Sequence, residues 1–140
     1  MRTRASIAGL AAATLATATA LLAADLTWLG VVARDAYDTR LSTLKRPDAY
    51  LPAAGLFYAL YVAAIVAYAV IPSTGPRQSV RRGAGMGLLA YGTYELTNWA
   101  VLRGWPGSLV PLDIAWGVAL TATAALAGER ALAFAARKAA

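Results

Sequence analysis

Four long apolar runs, separated by short segments rich in cations, proline and glycine, set the pattern of this chain. The first extends from about Ile7 to Val32, beyond the roughly 20 residues that a bilayer-crossing helix requires. The second, Leu51 to Ile71, is entered through Pro52 near its first turn and stopped at Ile71-Pro72. After a turn-rich connector, Ser79 offers an N-cap for a third run over about 81–102. The tight turn Arg103-Gly104-Trp105-Pro106-Gly107 leads into a fourth, over about 109–128. Residues 34–50 carry four cations and three acids among scattered apolar positions such as Tyr37, Leu41 and Leu44. They predict an interfacial loop or a short surface helix ending before Pro47. The expected architecture is all-α: one membrane domain, residues 1–140, folded as an integral membrane four-helix antiparallel bundle.

The basic start Met1–Arg4 and the small residues Ala18-Thr19-Ala20 also fit a cleaved signal peptide. The apolar run continues well past Ala20, however, so an uncleaved first span is expected.

Composition agrees with the pattern. Residues are 59% hydrophobic and 14% charged, against about half apolar and a quarter charged in a soluble domain. The net charge of +6 raises the question of nucleic acid. The cations, however, flank the apolar runs and are not interleaved with aromatics, so no nucleic-acid partner is expected. With the N-terminus inside, eight cations (Arg2, Arg4, Arg77, Arg81, Arg82, Arg130, Arg137, Lys138) are cytoplasmic and five are outside. That asymmetry predicts a multi-pass protein of the cell inner (plasma) membrane with both termini cytoplasmic. The absence of cysteine and histidine excludes disulfides, thiolate catalysis, ordinary zinc sites and histidine-ligated haem. No metal site is expected and no cofactor can be named. Carboxylates, tyrosines, arginines and hydroxyls are left to carry any chemistry.

Three acids interrupt the spans: Asp25, Glu95 and Asp113. Around Glu95, the residues Tyr91, Tyr94 and Asn98 fall at helical spacing on one face, which should turn into protein and away from lipid. In the predicted orientation all three acids lie in the outer half of the bilayer, at depths within a turn or two of each other. An ionised Asp at mid-span costs about 2.5–3.5 kcal/mol, so partners are needed. Candidates are protonation, hydrogen bonds from Tyr91, Tyr94, Thr97, Asn98 and the indoles, or pairing with Arg34 and Arg103. Of these pairs, Arg103 with Asp113 across the turn is the more favourable.

Asp25-x-x-Trp28 and Asp113-x-x-Trp116 repeat one spacing, and Glu95-x-x-Asn98 echoes it. The candidate ligand-binding set is therefore Asp25, Trp28, Tyr91, Tyr94, Glu95, Asn98, Arg103, Asp113 and Trp116. Tyr58, Tyr61 and Tyr68 form a stripe on the second span whose hydroxyls either complete the polar site or serve packing. The acids likewise read either as a site or as bundle locks with tryptophan anchors. Gly83 and Gly87 form a small-xxx-small pair that permits close helix contact, inside the bundle, with a membrane-protein partner or in a homo-oligomer.

Taken in order, Asp25-Leu-Thr-Trp28-Leu-Gly30 with Tyr37 downstream, Phe57-Tyr58-x-x-Tyr61, Tyr91-Gly-Thr-Tyr94-Glu95-Leu-Thr-Asn98, Arg103-Gly-Trp105-Pro106 and Asp113-x-x-Trp116-Gly117 resemble a bacterial family. It is the family of small four-helix integral membrane proteins known as a domain of unknown function, DUF2177-like. The resemblance covers nearly the whole chain and implies a retained first span and a lipid-related role, without an activity. Glu95 stands where the family's motif carries Asp, which moves the carboxylate by about a bond length.

Three functions fit. Binding or transport of a lipid, amphiphile or cation at the acids and aromatics, with membrane lipid as partner, ranks first. An accessory structural subunit of a membrane complex ranks second. A lipid-modifying enzyme using two of the acids ranks third.

Overall fold

The computed structural model describes residues 6–138; Arg2 and Arg4, used above for orientation, lie outside the described residues. Five α-helices make up the structure: α1 (Ile7–Thr27), α2 (Arg34–Arg40), α3 (Leu51–Ile65), α4 (Pro76–Val101) and α5 (Val110–Lys138). There are no strands among the described residues. Helix α1 starts on Ser6, whose hydroxyl accepts the Gly9 N–H at 3.1 Å. It runs directly into a π-helical turn, Trp28–Val32, closed by the Ala33 N–H on the Trp28 carbonyl. A second π-helical turn, Val66–Val70, extends α3 up to Ile71-Pro72. Pro76 opens α4, where a missing N–H costs nothing. Ser79 is therefore not an N-cap but an interior residue, and its hydroxyl donates to the Ala125 carbonyl at 2.9 Å.

The four-helix bundle is thus corrected. The described residues form five α-helices, and among them three segments are long and apolar enough to cross a membrane: 7–32, 51–70 and 110–138. The expected third span is the exception, for a legible reason. Helix α4 carries Arg77, Gln78, Arg81 and Arg82 in its first two turns and Glu95 and Asn98 near its end, with four glycines between. Those residues suit a helix held by its neighbours rather than by lipid. The fourth span also continues past 128, because α5 carries on through Glu129 and Arg130 to Lys138.

Helix α5 lies between α4 and α1. On α1 the buried residues Gly9, Ala13, Thr17, Leu21 and Asp25 recur every fourth position, a single ridge. On α4 the buried set is Ser79, Gly83, Gly87, Gly92 and Glu95. Gly83 faces the Thr121 carbonyl and Ala125, while Gly87 faces the Gly117 backbone, so the small pair is taken up inside the chain by α5. Leu21, Ile65, Val70, Leu120 and Ala124 fill the apolar core. Many large side chains of the apolar spans face outward, among them Leu15 and Leu60, as expected where lipid is the solvent. Asp25 and Glu95 end the ridges that pack the helices. Core packing therefore carries them inward.

Candidate functional site

At the end where α1 and α4 finish and α3 and α5 begin, Asp25, Glu95 and Asp113 line one cavity of about 240 Å³. All three acids are buried. Asp25 accepts two hydrogen bonds, from the Tyr58 hydroxyl at 2.7 Å and from the Trp116 indole at 3.1 Å. The Tyr37 hydroxyl donates to Asp113 and itself accepts the Trp28 indole N–H at 3.3 Å. The Trp28 and Trp116 rings stack with centroids 4.4 Å apart and planes inclined by 7°. The repeated Asp-x-x-Trp spacing thus makes one structure: two tryptophans meet face to face, each linked into the hydrogen-bond system of an acid.

Glu95 is 0% exposed. Its Oε2 accepts the Trp105 indole N–H at 2.9 Å across the 102–109 turn, whereas its Oε1 has no hydrogen-bond partner. Gly104, at φ +79°, supplies the left-handed residue that turns Trp105 back onto α4. Neither lysine nor arginine lines the cavity, so its carboxylates receive only neutral donors there.

The remaining candidates separate. Tyr91 lies against Gly117 and lines the cavity, as does Tyr94, whose ring meets Trp105 edge-on at 5.7 Å. Asn98 is half-buried and outside the lining. Arg103 is exposed, and Asp113 takes its hydrogen bond from Tyr37 and not from Arg103. The tyrosine stripe divides by position: Tyr58 reaches Asp25, Tyr61 shares a 2.7 Å hydrogen bond with Thr121, and Tyr68 is exposed. Sequence reasoning left Tyr37 and Trp105 out of the candidate set and placed Tyr58 only in the stripe whose hydroxyls either complete the site or serve packing. Their signal was present, since all three stand in the motifs that carry the family resemblance.

Helix α2 carries exposed charges that pair with one another and with Lys45. Asp38 pairs with Lys45 and lies 3.5 Å from Arg34. The hydrogen bond from Lys45 holds the Asp38 carboxyl below its ordinary value of 3.8. A depressed carboxylate stabilises the fold above its unfolded pKa, and that contribution fades as pH falls through the lowered value. Lys45→Gln is expected to return Asp38 toward 3.8, read by NMR titration, with little change in overall stability because the pair is exposed.

No curated protein and no solved structure matches the chain. The model of the family described as a predicted membrane protein, DUF2177, matches residues 10–129, and the chain belongs to that family.

Proposed function

We propose that the protein binds a cationic, amine-bearing lipid or amphiphile within the membrane, its head group seated in the carboxylate cavity, either to retain it or to pass it on. One observation carries this reading: the fully buried Glu95 holds an oxygen with no partner, in a cavity lined by two further acids and no cation. An unpaired polar atom in a dry site carries a penalty that a donor ligand would remove. An ammonium group answers that need because it is donor-only and brings the opposite charge. The surrounding indoles and tyrosines suit a group that is apolar on one side and polar on the other.

Mass spectrometry of gently purified protein tests this. Wild type is expected to retain an amine-bearing species that equally folded Asp25→Asn, Glu95→Gln and Asp113→Asn variants lose. Equal retention by the variants would make the acids structural.

A further inference from the structure

A second hollow lies between α1 and α3, with a volume of about 660 Å³. On α1 its wall is the row Leu10, Thr14, Ala18 and Leu22, one position round from the ridge that packs on α5. The floor opposite, beside the buried Val62 and Val66, is Ala59 and Ala63 on α3 and Ala67 in the π-helical turn that follows, again every fourth residue. Side chains this short leave the gap unfilled, and the π-helical turn at Val66–Val70 carries the alanine row onward while turning Ala69 and Val70 into the core. The Thr14 hydroxyl is bonded to the Leu10 carbonyl, so it offers the hollow no free donor. From Leu10 to Leu22 the groove runs about 18 Å.

The groove is polar at one end only. Tyr58 lines it with its ring and donates its hydroxyl to Asp25, which lines the carboxylate cavity. Leu10 and Ile71 stand at the far end. We infer that this groove holds the hydrocarbon chain of the ligand whose head group occupies the cavity, so that the ligand class is a long-chain amine. The inference rests on the reading of the cavity given above. Charge complementarity and the Tyr58–Asp25 hydrogen bond, which joins one lining to the other, fix the direction: the head lies among Asp25, Glu95 and Asp113, and the chain passes Tyr58 and runs toward Leu10. A reversed amphiphile would press its charge against leucine and isoleucine.

The test uses the full chain in nanodiscs, with butylamine and tetradecylamine as probes and tryptophan fluorescence as the readout, since Trp28 and Trp116 adjoin the cavity. Wild type should bind tetradecylamine more tightly than butylamine. Ala63 is exposed on the groove floor, so Ala63→Phe fills the groove without entering the core. That variant should lose at least tenfold in tetradecylamine affinity and keep butylamine binding unchanged. Leu60→Phe, which adds bulk at an exposed α3 position outside the groove, should change neither. An unaltered chain-length preference in Ala63→Phe overturns the inference, while butylamine binding leaves the cavity reading standing. If wild type binds neither amine, both fall. A changed oligomeric state in Ala63→Phe with unchanged amine binding assigns the groove to a second copy and overturns the inference.

Discussion

Glu95→Gln is expected to weaken amine binding by about ten- to a hundredfold while leaving the helices assembled. The magnitude is that of one charge-assisted hydrogen bond, about 1.5–3 kcal/mol. The two carboxylate oxygens of Glu95 differ in what they do. Oε2 accepts from Trp105, and a glutamine carbonyl can take that role over. Oε1 has no protein partner, and glutamine would put an NH₂ there, setting a donor against a donor. The folded state gives up no hydrogen bond in this exchange, and one unpaired polar group replaces another, so heat stability should be about unchanged. A purely structural Glu95 gives the opposite pair of results, retained binding and lowered stability. Trp105→Phe is the companion substitution. It removes the donor to Oε2, leaves the unpartnered Oε1 in place, and should cost less affinity than Glu95→Gln. Parallel titrations and thermal melts of the three proteins decide the matter.

The inward turn of the acids was legible because it depends only on helical period. Asp25 continues the every-fourth-residue ridge from Gly9, and Glu95 stands on the same side of α4 as Gly83 and Gly87. The ends of the first two spans were legible too, since apolar runs and Pro72 mark them. What fills the site was not. Tyr37 reaches Asp113 from 76 positions away, on a short exposed helix whose direction is set by the π-helical turn before it. Nothing in the period of the chain announces such a turn. Arg103 attracted attention by its charge, yet a guanidinium beside water has less to gain from a buried carboxylate than a tyrosine already packed there. Helix α4 misled for a different reason. Its run from Gly83 to Leu102 contains few charges and so reads as apolar. Glycine, however, adds close approach and not hydrophobicity, and the helix is a partner for α5 before it is a solute for lipid.

Gly87→Ala should lower stability by about 2–3 kcal/mol, the range of an overpacked interior, although it adds one methyl group. A Cβ there would meet the carbonyl of Gly117 and the Thr121 hydroxyl. The first belongs to α5's own backbone and cannot rotate aside, so the helices must part. Gly85→Ala provides the control from two residues away. Gly85 is exposed with nothing near its missing Cβ, and alanine should stabilise the helix there by about 0.5–1 kcal/mol. Opposite signs from neighbouring glycines would show that contact with α5, rather than glycine flexibility, governs the position. The displacement should also reach the site. Tyr91 and Glu95 follow Gly87 at one and two turns on the same helix, and Tyr91 already rests against Gly117, the residue beside Trp116. Parting α4 from α5 draws Glu95 away from the cavity wall that carries Asp113 and Trp116. Gly87→Ala should therefore lose amine affinity together with stability, and a destabilised variant with full affinity would mean that Glu95 is not held in place by this contact.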